Sequence, residues 1–408
     1  MNNSYYKGEY SDRGDNKYGY YQNMCDMFGG YNPIVERQSA GLRKLGMKIG
    51  AALLCFTLLQ YVVSFFLALT GLVDTIYNDS VIYWSTCVIS QAIYVLLPFA
   101  VLYFSLGNDK HRVAVAFEKP KKTKPFILAV LSGLMICLVG DFISSYVSAF
   151  FNFFGTDFYQ QETPVPDNAF GYIVFAVGCA VMPALVEEFA FRGILLTSLR
   201  KYGDKFAIVC SALLFAIMHG NMVQIPFAFI AGLALGYFMV TTGSIRTSVL
   251  IHFLNNFIAT IFSVYYNVNP QASNLLYYVL TSVIIIVGIA AMILWIISCR
   301  KKLEPCRLEI TTRTSYDVFL CTPTIVACFF IAISSSFSQS EFTSGIGMFT
   351  LIAAIVLITV VLMRMIGRIA HDSRIKYSSV YTVSKVLIVA SDIFLVFEIL
   401  FSGLNLIG

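Results

Sequence analysis

The chain has 408 residues, of which 58% are hydrophobic and 12% charged, against about a quarter charged in an average soluble domain, which excludes an ordinary water-soluble globule. Its net charge of +5 comes from basic residues set between apolar runs without aromatic interleaving, so they read as membrane-topology signals and not as nucleic-acid contacts. Of ten cysteines, Cys55, Cys87, Cys137, Cys179, Cys210, Cys321 and Cys328 fall inside apolar runs with no CxxC pair, which points to reduced thiols and excludes a disulfide scaffold.

Residues 1 to about 46 are rich in Tyr, Asn, Gly and Asp and lack an apolar period, so they read as a disordered tail. The first apolar run, from about residue 48, is too long for the core of a cleavable signal peptide and reads as a retained span. Further runs follow at about 82–106, 126–152, 170–191, 206–219, 222–242, 246–266, 275–298, 316–337, 345–363 and 386–405, each near the length that crosses hydrocarbon. The predicted fold is all-α: a polytopic transmembrane helix bundle of about eleven spans with a core of about eight.

Short cytoplasmic connections retain positive charge, and the basic residues alternate accordingly. Arg37, Arg43, Lys44 and Lys48 precede the first span, Lys119 to Lys124 follow the second, and Arg200, Lys201 and Lys205 the fourth. Arg246 follows the sixth, Arg300 to Arg313 the eighth, and Arg364 to Lys385 the tenth, whereas the opposite connections carry no Lys or Arg. The amino terminus is expected in the cytoplasm, the carboxyl terminus outside. The predicted organisation is a tail (1–46), a bundle (47–299), a basic cytoplasmic loop (300–315) and three additional helices (316–408).

Ionisable groups at membrane depth are functional candidates by default, because lipid makes them costly. Glu187 and Glu188 lie in ALVEEFAFRG, and Glu188 stands four residues before Arg192, the favoured order for a helical ion pair. Glu187 is left without a cation, which suits a group that takes and returns a proton; the competing reading is a pair of solvated acids at a helix end. His252 and Asn256, four apart, share one face of an otherwise apolar helix. They fit either an oxyanion site or interhelical hydrogen bonding, and His252 also suits a metal. His219 ends a run one turn after Phe215, where it would orient Glu187, ligate a metal or serve only structure. Asp141, Asp392 and Glu398 lack partners at helical spacing and are expected to make structural hydrogen bonds.

In order and interval, Glu187-Glu188-x-x-x-Arg192, Phe215-x-x-x-His219 and His252-x-x-x-Asn256 together resemble the CPBP intramembrane proteases. These are the CAAX-processing and bacteriocin-processing, Abi-like relatives, similar to the type II CAAX prenyl endopeptidase. The resemblance covers about residues 125–298. It implies an intramembrane endopeptidase in the cell membrane in which Glu187 activates water with His219, while His252 and Asn256 hold the oxyanion and Glu188, Arg192 and Phe215 give support. It leaves metal dependence open: no cofactor is required by acid–base hydrolysis, and a zinc version would use Glu187, His219 and His252. The partners implied are membrane lipid and a peptide or membrane-protein substrate, with no nucleic acid; oligomeric state is not legible. A non-catalytic scaffold or immunity protein with the same fold is the alternative, and a solute transporter is disfavoured by the lack of matching broken half-structures. Depth is a difficulty. At 1.5 Å per residue, His219 lies ~20 Å from the basic end of its run and His252 only ~9 Å from Arg246, so a shared site requires a tilted or broken helix.

Overall fold

The computed structural model describes residues 31–107, 113, 116–120, 122–158, 163–337, 340–342, 345–372, 374–375 and 378–404. In chain order these form α1 (Pro33–Leu69), α2 (Leu72–Asn78), α3 (Ser80–Ser105), α4 (Thr123–Phe153), β1 (Thr156–Phe158), α5 (Ala169–Tyr202), α6 (Asp204–Ile217) and α7 (Gln224–Thr242). There follow α8 (Ile245–Val268), α9 (Pro270–Ser298), α10 (Thr312–Leu320), α11 (Pro323–Phe337), β2 (Ser340–Phe342), α12 (Gly345–His371) and α13 (Ser379–Leu404).

Each anticipated apolar run is helical, and the chain is a polytopic helical bundle. Among the described residues nine helices are long and apolar enough to cross a membrane, or ten if α10 and α11, bent by 66°, count as one broken span, against the eleven expected. The helix that falls short is α6. Its 14 residues reach only ~21 Å at 1.5 Å each, less than the ~30 Å of a hydrocarbon core.

The tail boundary also moves. A helix begins at Pro33, because the Asn32 side chain accepts hydrogen bonds from the backbone of Ile34 (2.9 Å) and Val35 (3.2 Å) and proline suits the first helical position. Val35, Ser39, Leu42 and Leu45 then recur on one buried face, a period hidden among Glu36, Arg37 and Arg43. Residues 31–46 are therefore ordered, and residues 1–30 of the expected tail lie outside the described residues. The basic connection is likewise shorter than 300–315, since Thr311 caps α10 by accepting from Thr314. It is tied down by Asp204, which exchanges two hydrogen bonds with the Glu304 backbone (3.0 and 2.9 Å).

The last three spans do not stand apart. Phe319, Ile325 and Cys328 share a core with Leu42, Ile49 and Leu53 of α1, and Thr324 donates to the Gly46 carbonyl (3.3 Å). Asp317 and Arg368 form an ion pair between α10 and α12, and β1 pairs antiparallel with β2. Asp392 accepts from Thr359 (2.8 Å) and Glu398 from Ser334 (3.1 Å), giving these intramembrane acids polar partners across helix interfaces. All described cysteines are free thiols.

Small residues let the central helices close together, as in membrane bundles generally. A Cβ on Gly232 of α7 would meet the Ala212 Cα of α6 at 3.0 Å, and one on Gly140 of α4 would meet Ile230 of α7 at 3.1 Å. Helices α4 to α9 therefore surround a common interior, and the polar motifs point into it.

Candidate active site

Three irregular stretches shape the site. Backbone at Ala92–Leu96 in α3, and at Val177–Val181 and Glu188–Leu196 in α5, winds as π-helix, a form concentrated at functional sites because it frees or redirects backbone groups. The second stretch lies one turn before Pro183, which cannot donate a helical hydrogen bond. The third begins at the paired acids.

Adjacent helical residues point about 100° apart, so Glu187 and Glu188 face different surroundings. Glu188 and Arg192 are fully buried and joined at 2.8 Å. The guanidinium also stacks over the Phe215 ring, 4.2 Å from its centroid. Glu187 makes no such pair. Its side chain stays 23% accessible, with Oε2 4.0 Å from His252 Nε2.

His252 joins the two acids. Its Nδ1 lies 3.0 Å from Glu188 Oε1, and because a carboxylate engaged by arginine can only accept, Nδ1 carries the proton. Nε2 is then the ring nitrogen that faces Glu187. One turn later Asn256 donates through Nδ2 to the Cys179 carbonyl (3.1 Å), inside the second π stretch, and accepts from Asn255 (3.2 Å). Its amide nitrogen keeps one further N–H.

His219 approaches from the end of α6. Its Nδ1 is 2.9 Å from the Phe215 carbonyl, which fixes the proton there and leaves Nε2 as an acceptor. The Phe215 ring touches both imidazoles edge-on, at 4.8 Å to His219 and 6.1 Å to His252. No hydrogen bond joins His219 to Glu187 among the described residues; the two instead share the walls of two cavities. One, of about 530 Å³, is also lined by His252, Asn256, Asp141 and Tyr277. The other, of about 220 Å³, is lined by Phe56, Gln60, Tyr94 and Met218. Glu187, His219, Phe215 and Gln91 belong to both.

The depth difficulty is resolved by where α8 starts. Gly243 closes α7 with φ +75°, Ser244 caps α8 and donates to the Glu118 carbonyl (2.5 Å), and Ile245 is buried. A Cβ on Gly193 would lie 3.3 Å from the Ile245 side chain, so α8 begins level with Gly193, nine residues inside the Tyr202 end of α5. Those nine residues account for ~14 Å at 1.5 Å each, which brings His252 to the depth of Glu187 and His219. Arg246 thus marks the start of a helix that begins inside the Tyr202 end of α5.

Glu187, Glu188, Arg192, Phe215 and His252 thus form one contact cluster, with His219 and Asn256 on the same cavity wall. Asp141 differs from expectation: among the described residues its carboxylate makes no structural hydrogen bond, and it lines the cavity. Gln91, Asn255 and Tyr277 also line it and were not singled out in the sequence. The signal for the α4 side was present, since Cys137, Asp141, Ser144 and Ser145 recur at helical spacing in an apolar span. Among the described residues no three His, Cys, Asp or Glu side chains converge as metal ligands, although the Nδ1 contacts of His252 and His219 leave both Nε2 atoms in the orientation that a metal-ligating histidine also adopts.

Residues 169–258, which contain all three motifs, match the family described as Type II CAAX prenyl endopeptidase Rce1-like. Comparison of the whole chain with curated proteins and with solved structures finds no match.

Proposed function

Because residues 169–258 match the family described as Type II CAAX prenyl endopeptidase Rce1-like, a family of membrane proteases, we propose that this chain is an intramembrane endopeptidase that hydrolyses a peptide bond of a membrane-associated protein or peptide. The observation carrying this reading is His252 set between a buried, arginine-paired carboxylate and a cavity-facing one, Nδ1 at 3.0 Å from Glu188 and Nε2 at 4.0 Å from Glu187.

Glu187 is the base. It takes a proton from a water held in the cavity, with the His219 Nε2 lone pair accepting that water's other hydrogen, and the hydroxide adds to the scissile carbonyl carbon. The carbonyl π electrons move to oxygen. The free N–H of Asn256 stabilises that oxyanion, joined by His252 while Glu187 lends the water's proton to Nε2, 4.0 Å away, and takes it back as the intermediate collapses. When the C–N bond breaks, Glu187 returns its proton to the departing nitrogen. Removing one donor from such a site costs on the order of 10²–10³ in turnover. Glu188 and Arg192 act through His252 by fixing its tautomer and orientation. No metal enters these steps.

The cell membrane, with the amino terminus in the cytoplasm, is the location we assign. Its support is that basic residues from separate connections gather at common clefts: Lys205 with Arg300, Lys301 and Lys302, and Lys122 and Lys124 with Arg300 and Lys301.

The test compares wild type with Glu187→Gln in liposomes, with a mixed-sequence peptide library read by mass spectrometry. We expect at least a hundredfold loss of cleavage with unchanged thermal unfolding. Undiminished cleavage in the variant removes Glu187 as base, and a retained cellular effect without cleavage favours the scaffold reading.

A further inference from the structure

Two helices bring a carboxylate to the larger cavity: α5 contributes Glu187, which shares the lining with His219 and His252, and the middle of α4 contributes Asp141. Cys137, Leu138, Asp141, Ser144 and Ser145 all line this space, so one continuous face of α4 forms its wall. Two of these polar groups are satisfied internally: the Ser144 hydroxyl donates to the Val223 carbonyl and the Ser145 hydroxyl to the Asp141 carbonyl. The Asp141 carboxylate itself is exposed to the cavity and has no hydrogen-bond or ion-pair partner among the described residues.

Among the described residues no Lys or Arg lines this cavity. Arg192, the nearest motif cation in sequence, is fully buried and committed to Glu188 and the Phe215 ring. The space therefore holds two carboxylates, Asp141 and Glu187, and no fixed positive charge. An unpaired carboxylate inside a span is costly and marks a pathway or a binding group, and a low-dielectric cleft lined by one sign of charge concentrates ligands of the other. The hydrogen-bonding groups beside it, Tyr277 from α9 and Asn255 from α8, suit a polar ligand and not a lipid tail. Asp392 and Glu398 serve as contrast, each satisfied by a hydroxyl across a helix interface.

We infer that Asp141 is a cation-accepting subsite of the large cavity, receiving an ammonium or guanidinium group of the peptide while its backbone lies at Glu187. This rests on the peptidase reading for its substrate, and the Asp141 geometry stands apart from the catalytic motifs. The group comes either from a lysine or arginine side chain or from a free amino terminus, which share the chemistry a carboxylate recognises.

Two measurements on the full-length protein in liposomes test this. Binding is measured in the Glu187→Gln background, which removes turnover, with acetylated fluorescent peptides identical except for one Lys or one Gln. The Lys peptide is expected to bind about tenfold more tightly, with the preference abolished by Asp141→Asn and reversed toward a Glu peptide by Asp141→Lys. Cleavage of the mixed library by wild type and by Asp141→Asn gives the second readout: KM for cationic peptides rises about tenfold in the variant while kcat for neutral ones is unchanged. Repeating both with unacetylated peptides separates an amino-terminal amine from a side chain. Equal binding of Lys and Gln peptides by the Glu187→Gln protein, or a preference that survives Asp141→Asn, overturns the subsite. Charge-dependent binding without any wild-type cleavage leaves the subsite intact and removes the peptidase.

Discussion

The most informative perturbation is at the buried pair beneath His252. Glu188 and Arg192 are both wholly buried, so Glu188→Gln removes a charge with almost no change of volume and leaves a guanidinium in the interior without its counter-ion. Breaking a buried pair from one side costs about 3–5 kcal/mol. The Phe215 ring, 4.2 Å from the guanidinium carbon, retains ~0.5–2 kcal/mol of attraction, too little to offset the loss. Arg192→Met should cost a similar amount for the opposite reason, a stranded carboxylate. The double variant loses both charges together, keeps an acceptor for His252 Nδ1, and should therefore be far less unstable than the two single costs summed. A double-mutant cycle read by heat- or detergent-induced unfolding of the full chain should give a coupling of about 2–3 kcal/mol. Costs that add to within about 0.5 kcal/mol, the value for independent sites, would refute the pairing and with it the argument that Glu188 sets the His252 tautomer. Peptidase activity supplies a second readout. The double variant should recover stability but not full turnover, because a neutral amide holds an imidazolium less well than a carboxylate.

Exhaustive chelation should leave cleavage unchanged, since the described ligand-type side chains do not converge in threes; a requirement restored by added zinc would overturn the metal-free steps. Ser244→Ala removes the cap of α8 and the hydrogen bond to the Glu118 carbonyl. It should cost about 0.5–2 kcal/mol in unfolding and lower turnover by displacing His252, whereas turnover untouched by the loss would separate the cap from the site. In the connection after α12, the Arg374 side chain hydrogen-bonds Asp372 and holds its carboxyl below the usual carboxylate range, against the opposing effect of partial burial. A depressed value stabilises the folded connection above the unfolded carboxyl's titration near pH ~3.9 and loses that stability as pH falls through the folded one. Hydrogen exchange around residues 369–375 should accordingly accelerate only below about pH 4, and acceleration already at pH 6 would contradict it.

The sequence carried much of this because several relationships are local. Glu188 and Arg192 are four residues apart on one helix, and their 2.8 Å contact follows from helical geometry alone. The same holds for Phe215 and His219, linked by the Phe215 carbonyl to Nδ1. What spacing could not reveal was the long-range contact between His252 and Glu188. It depends on α8 starting nine residues inside the end of α5, fixed by Gly243, Ser244 and the fit of Ile245 against Gly193. Arg246, exposed beside two buried neighbours, sits at the start of this recessed helix, so a residue count from it is not on the same scale as one from Lys205. The π stretches were equally invisible, because no residue pattern within one helix reports its winding, and the neighbours of such a stretch come from elsewhere in the chain, as Trp84 does at Gly178. Asp141 was misjudged for a simpler reason: without knowing which helices face one another, an acid lacking partners on its own helix looks the same whether it meets a hydroxyl or a cavity.

The short α6 has a consequence for supply. A helix that ends after ~21 Å leaves the turn at Met218–Val223 at a level where lipid tails offer backbone groups nothing to bond with, so protein or solvent must take their place. Ser144 meets one of these needs at the Val223 carbonyl and the Asn221 side chain another by accepting from the Val223 N–H, beside a polar cavity wall that carries His219 and Gln224. On the proposed reading each bond cut at Glu187 consumes one water, and the end of the short helix is where His219 and Gln224 line the cavity that has to hold it.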